Sequence, residues 1–357
     1  MINRKTILLL ILSVLLIGLV GGQGETMARE IVDLNGNRVK LPPAEELKRV
    51  VIISPPITSI FFSVLNDPGK VVAVHPRTIS NANPLLLKQV LPNLQDLNTT
   101  FVKGFNVDIE AILKLEPDII FYYGQQQSKK LELLQIPMVD FMKRKDRNPL
   151  TVTVAWERLM AEVFATEANY SIEKEWEEIN QRLAQFSGIL PENKLKGMLI
   201  FNNSGGKVMV SGNNTYGDYW LEMSGLVNVA DDLSGEKEVS MEQIYQWNPD
   251  IIYIFMGEPA TNYINGIRGQ SWAMVKAVQE QKVYDVPKGM FSWAAPCADS
   301  PLMVQWMVTK NYPTLFPAEL FEEQLRSYYQ NHYQLTLSEQ MIRSILGPKQ
   351  ESEEGNE

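Results

Sequence analysis

Apolar residues along this chain fall into short runs, and each run is followed by a stretch with helical spacing. "RVVIIS" (Arg49–Ser54) reads as a buried strand ended by Pro55-Pro56, and "ITSIFFSVL" reads as the helix after it. "KVVAVH" (Lys70–His75) is a second strand, stopped at Pro76. In "DIEAILKLE" the apolar residues Ile109, Ile112, Leu113 and Leu115 keep helical register, and "DIIFYY" and "IPMVDF" are further strands. The segment "EIVDLNGNRVKLP" alternates apolar and polar residues around Asn35-Gly36, the signature of a β-hairpin. Two helical patterns follow, one through Trp156, Leu159 and Val163, the other through Ile172, Trp176, Ile179, Leu183 and Phe186. A break is expected near Thr166-Glu167, and the second helix, placed at about 168–187, would be roughly 30 Å long at about 1.5 Å per residue.

The second half repeats the first. "GMLIFN", "DIIYIF" and "KVYDVP" read as strands, and "YGDYWLEMSG", "SMEQIYQWN", "WAMVKAVQEQ" and "SPLMVQWMVTKNY" as helices. One phrase recurs almost unchanged. "EAILKLEPDIIF" begins at Glu110 and "EQIYQWNPDIIYI" at Glu242, with Pro117 and Pro249 in matching places. Proline lacks an N–H and disfavours helix in the residue before it, so each phrase is a helix end feeding a buried strand. Strands alternating with helices imply parallel sheets covered on both faces. The predicted fold is α/β: two similar Rossmann-like lobes with parallel sheets, joined by a single long helix. The expected divisions are a signal peptide at 1–28, an N-terminal lobe at 29–150 and a helical segment at 151–190. A C-terminal lobe at 191–320, terminal helices at 321–346 and an acidic tail at 347–357 complete the chain.

Composition narrows the class. A chain of 357 residues with 45% apolar and 21% charged residues can bury full cores and suggests two domains. Arg4 and Lys5 precede the apolar run Ile7–Val20, and small residues follow before Arg29. That describes an export signal, with an uncleaved anchor as the alternative. The single Cys297 lies far from any cleavage point, so neither a lipid-bearing N-terminal cysteine nor an internal disulfide is available. Cys297 itself reads as a small buried hydrophobe. The expected location is the periplasm. The formal net charge is −9, and removal of residues 1–28 leaves −10. Such a surface is a poor partner for nucleic acid or anionic membrane.

Six pieces, "VDLNGNRVKLP", "RVVIISPPITSIFFSVL", "VDIEAILKLEPDIIF", "VSMEQIYQWNPDIIYIF", "WAMVKAVQEQKVYDVP" and "GMFSWAAPCADSPLMVQWM", occur in an order and spacing that resemble the class III (cluster A) substrate-binding proteins of ABC importers. The likeness runs from about Val32 to Leu346. It implies a ligand cleft between two lobes joined by a rigid helix, with modest closure, and a monomer as the working form. It also implies delivery to a dimeric permease with its ATPase. In relatives a glutamate on each lobe's rim pairs with a permease arginine, and by position these are Glu110 and Glu242. Otherwise the two are solvated charges favoured by helix dipoles.

Ligands of parallel α/β sheets bind outside the carboxyl ends of the strands. The loops so selected carry His75, Arg77, Tyr122, Tyr123, Tyr216 and Trp293. His75 reads either as a structural histidine or as a partner to a metal complex. Tyr122 and Tyr123 read as phenolate ligands or walls, and Arg77, with Lys103, as partners for an anion. Trp293 is a candidate face for a flat organic ligand. Two distant histidines do not build a bare metal-ion site, so no metal site is expected. No nucleotide-binding glycine motif or nucleophile elbow appears, and an enzyme is not expected. The first expectation for the ligand is an iron complex, a siderophore or haem-like chelate, with no intrinsic cofactor. Molybdate or tungstate and cobalamin are the alternatives within the family, and a cleft filled by bulky aromatics would favour the oxyanions. A surface adhesin without transport is a further class.

Overall fold

The structure, a computed structural model, describes residues 29–104, 106–124, 131–132, 134–168, 170–186 and 194–347. The expected signal peptide, residues 125–127 of the loop after "DIIFYY", and the tail beyond Gly347 lie outside the described residues.

The chain enters through a hairpin of β1 (Arg29–Val32) and β2 (Arg38–Leu41), paired Arg29 to Leu41. Asp33 shapes its turn by accepting from the N–H groups of Asn35 and Asn37 at 3.0 and 2.8 Å. The first lobe is a wholly parallel sheet of β3 (Val50–Ile52), β4 (Val71–Val74), β7 (Ile119–Tyr122) and β8 (Met138–Asp140), in the order β4-β3-β7-β8. A small ribbon of β5 (Val102–Lys103) and β6 (Asn106–Val107) stands beside it. Every residue of β3 and β7 is buried, as apolar runs covered on both faces must be.

The second lobe has the expected parallel strands at its core and adds antiparallel ones at one side. β9 (Lys196–Ser204), β13 (Ile251–Ile254) and β14 (Val283–Asp285) are parallel. β10 (Lys207–Ser211) and β12 (Glu236–Val239) extend the sheet antiparallel, and β11 (Val227–Asn228) pairs beside β9. The turn from β9 to β10 is Gly205-Gly206, with φ of 61° and 80°. A tight hairpin needs that left-handed backbone, and only glycine adopts it freely.

The linker helix spans Ile172–Phe186, starting later than expected. Its start is set from outside: the buried Glu157 carboxylate accepts from Ile172 N–H at 2.8 Å. An anion at a helix N-terminus satisfies a free donor and opposes the dipole. Ile172, Trp176 and Ile179 are buried along one face. Trp176 donates to Thr153 Oγ1 at 3.0 Å and stacks on Trp220 of the second lobe, with centroids 6.4 Å apart. Helices Ala318–Tyr333 and Glu339–Leu346 close the fold, near the expected end.

The repeated phrase has one structural meaning in both lobes. Each helix ends on a left-handed residue, Glu116 (φ 46°) or Asn248 (φ 44°), just before the proline. The aspartate that follows then clamps the start of the neighbouring central strand. Asp118 Oδ2 accepts from Lys48 and Arg49 N–H at 2.8 Å, and Asp250 Oδ2 from Lys196 N–H at 2.8 Å.

Asp118→Ala should lower the unfolding free energy by about 1–3 kcal/mol in urea titrations, because two backbone donors lose their acceptor. An unchanged midpoint would remove Asp118 from this role. Asp250 has a second partner, Lys276 at 2.7 Å. Burial works against its charge, but the Lys276 and Lys196 bonds win and hold its pKa below the ordinary 3.8. Its contribution to stability is therefore present above pH 3.8 and lost as pH falls through the lower folded value. Asp250→Asn should flatten that acid limb.

Candidate functional site

The carboxyl ends of the strands in both lobes meet at one cavity of about 280 Å³. Ser54, Pro55 and Pro56 reach it after β3, Tyr123 after β7 and Phe255 after β13. Leu199, Phe201 and Ser211 come from β9 and β10, and Trp156 from the helix Pro149–Val163. Ala294, Ala295 and Pro296 form another wall, and Glu236 stands at the edge. Much of the space is taken by rings. Tyr123 meets Trp156 edge-on at 6.2 Å, and Phe201 meets Phe255 at 5.5 Å.

Tyr216 opens the helix Tyr216–Met223, whose N-terminus faces this cavity with Gly217. Thr215 caps it by accepting from Asp218 N–H at 3.1 Å. Gly217 is required by packing, since a Cβ there would lie 2.4 Å from Ser211 Oγ. The helix Ile57–Val64 also starts at the cavity, directly after Pro56. Two helix N-termini give the site a positive character.

Arg147, from the first lobe, lies over the Tyr216 ring of the second at 5.7 Å from its centroid. The Tyr216 hydroxyl is buried and completes no well-formed hydrogen bond, although Tyr123 and Arg147 both face it. Burial, then Tyr123, push the Tyr216 pKa up, so the phenol is a neutral donor. Arg147 is held charged against its own burial by the two tyrosines and Glu236. The cavity is thus an aromatic shell with two helix N-termini, and a guanidinium and a buried phenol stand beside it.

Of the residues expected at the cleft, Tyr123 and Tyr216 line this cavity. The others stand elsewhere. His75 is buried as the cap of the helix Pro76–Ser80, its Nδ1 accepting from Arg77 N–H at 2.9 Å. Its Nε2 then donates to Gly104 O at 3.0 Å, so both ring nitrogens are used. Arg77 and Lys103 are exposed and do not line the cavity. Tyr122 points to the opposite face of its strand, as alternation along β7 requires, and packs with Val51 and Ile120. Burial and the Asp140 and Asp33 carboxylates raise its pKa, which opposes a phenolate. Trp293 is fully buried and meets Phe321 edge-on at 6.3 Å, while its neighbours Ala294–Pro296 reach the cavity. Trp156, which lines the cavity, and Arg147, which stands beside it over Tyr216, were not expected. Arg147 sits in the cationic run "KRKDR", which carries no distinguishing pattern, and Trp156 fitted a helix face.

Glu110 and Glu242 are exposed at the second position of matching helices, Ile109–Leu113 capped by Asp108 and Met241–Trp247 capped by Ser240. No group of three metal-binding side chains occurs among the described residues. Nor is any helix among them long and apolar enough to cross a membrane.

The family model described as periplasmic binding protein matches residues 50–289, about two thirds of the chain. The chain belongs to the periplasmic binding protein family. Members of this family serve ABC transporters as extracytoplasmic solute-binding proteins, and the fold of two lobes around a cleft is theirs. The molybdate-binding protein MolA of Haemophilus influenzae is 24% identical over 329 residues, covering 85% of this chain and 91% of that protein. The structure of MolA bound to molybdate superposes with a TM-score of 0.71, at 20% identity, over 87% of this chain and 99% of that one. A periplasmic solute-binding protein of Veillonella parvula superposes with a TM-score of 0.77 at 28% identity, covering 90% and 97% of the two chains. CeuE of Helicobacter pylori, in a nickel–histidine complex, gives 0.71 at 17% identity, covering 90% and 99%.

The place of His75 in this family member's fold has a measurable consequence. His75→Ala should cost about 0.5–2 kcal/mol of stability, as loss of a helix cap does, and leave cleft affinity unchanged. Burial lowers the His75 pKa below 6.5, against the Gly104 bond and helped by Arg77. The folded state disfavours its protonation, so the contribution is full above pH 6.5 and is lost as pH falls toward the folded value. Loss of ligand affinity without loss of stability would return His75 to the cleft.

Proposed function

We propose that this solute-binding protein captures a small tetrahedral oxyanion of the molybdate and tungstate class and delivers it to an ABC permease. The observation that carries the reading is the small ring-walled cavity itself, entered by two helix N-termini and flanked by the Arg147–Tyr216 pair. Oxyanions take hydrogen bonds from all sides, and a guanidinium, a phenol O–H and helix N-termini supply them. Space supports the same choice. Clefts for drug-sized ligands run from about 300 to 1,000 Å³, and this one is about 280 Å³ and crowded by rings. The kinship with a molybdate-binding protein over most of both chains adds weight. An iron chelate gains no support from His75, whose nitrogens are engaged, or from Tyr122, which faces away.

Delivery is assigned to Glu110 and Glu242, which project from equivalent positions of the two lobes. Paired carboxylates set the register of a two-lobed carrier on a two-subunit permease.

Isothermal titration should show one site for molybdate and tungstate. Arg147→Met should weaken it tenfold or more, since a charge-assisted bond contributes about 1.5–3 kcal/mol. Tyr216→Phe should weaken it less, by about three- to tenfold. No response to either oxyanion, with tight uptake of a ferric siderophore or haemin, would overturn the oxyanion reading. Separately, Glu110→Gln with Glu242→Gln should leave titrations unchanged and reduce uptake in cells carrying the cognate permease. Unimpaired uptake would sink the docking assignment.

A further inference from the structure

A second cavity, of about 530 Å³, lies away from the cleft, where the first lobe meets the edge of the second and the last helix. Asn83 ties these parts together. Its N–H donates to Gly289 O at 2.7 Å and its Nδ2 to Ser344 Oγ at 2.9 Å. Apolar walls come from Pro84, Ile264, Val283, Val286, Pro287 and Ile345.

One cation in this groove is unpaired among the described residues, and a buried donor stands beside it. Trp306 and Lys310 lie one turn apart on the helix Ser300–Asn311, and both line it. Trp306 is 3% exposed, and its buried indole N–H has no acceptor among the described residues. Lys310 is half-buried, and its ammonium lies 5.3 Å from the centroid of the Tyr284 ring. It makes no hydrogen bond or ion pair among the described residues. Burying a donor or a charge without a partner is costly, and such groups are ordinarily satisfied. Burial alone lowers the Lys310 pKa.

The other charges around the groove restrict what fits. Asp285 accepts from Ala260 N–H at 3.1 and 3.2 Å, so its carboxylate is engaged at a helix start. Lys288 donates to Ser80 O at 3.1 Å. One unpaired cation beside a fixed carboxylate suits a monoanion better than a dianion, because the second negative charge would face Asp285.

We propose that this groove is a second ligand site, which takes a small monocarboxylate with an apolar body: the carboxylate pairs with the Lys310 ammonium. The body then lies on the apolar walls and the Tyr284 ring. Because the groove is built from both lobes and the last helix, an occupant stabilises the arrangement in which they meet.

The test is titration of the full chain with benzoate, followed by calorimetry and tryptophan fluorescence. One site is expected, with no competition from molybdate. Lys310→Met keeps the aliphatic stem and should weaken benzoate tenfold or more. Lys310→Arg keeps the charge and should stay within about threefold, which guards against a merely misfolded variant. Arg147→Met should leave benzoate binding unchanged. Equal affinity in Lys310→Met, or loss in Arg147→Met, would overturn the proposal. So would binding that appears only when Glu351, Glu353, Glu354 and Glu357 are changed to Gln, since the groove would then belong to the chain's own tail.

Discussion

One buried carboxylate holds the floor of this molecule. Asp299 is fully enclosed and takes four donors: Met290 N–H at 2.7 Å, Trp293 Nε1 at 3.4 Å, and the hydroxyls of Tyr329 and Tyr333 at 2.9 and 2.6 Å. A buried charge with this many partners is tolerated, whereas one deprived of them would be strongly destabilising. The packing leaves no room to spare, because a Cβ on Gly289 would lie 2.1 Å from Asp299 Oδ2. The segment so fixed includes Ala294–Pro296, which wall the cleft, and its far side is bonded by Trp220 Nε1 to Ala294 O at 2.8 Å.

That anchoring reaches both lobes. Ala298 N–H donates to Ser59 Oγ at 3.0 Å, and Tyr328 hydroxyl to Ala298 O, joining the first lobe's buried helix to the same segment. His332 lies 3.0 Å from Ser63 Oγ and 3.3 Å from Glu175 at the start of the linker helix. The linker is therefore one of several ties between the lobes. Terminal helices brace the structure from behind, so the cleft is largely preformed.

Much of this was legible in order and spacing. Pro117-Asp118 and Pro249-Asp250 announced two helix ends and two buried strands, and their periodicity gave the duplicated plan. The antiparallel β10 and β12 were missed because "EKEV" is mostly exposed and shows no apolar period, although Gly205-Gly206 was a readable hairpin signal. Site residues were harder. Tyr122 and Tyr123 are adjacent, and only strand register decides which faces the cavity. Trp293 looked available because its neighbours line the wall, but Asp299 turns its indole inward. Arg147 reaches its place by crossing between lobes, a relation that no local pattern records.

That crossing bears on how the lobes can part. A half-buried cation–π contact is worth about 0.5–2 kcal/mol, so the Arg147–Tyr216 contact is a modest tie between the lobes. With the lobes braced behind, any wider opening also has to break the Ser59–Ala298 bond.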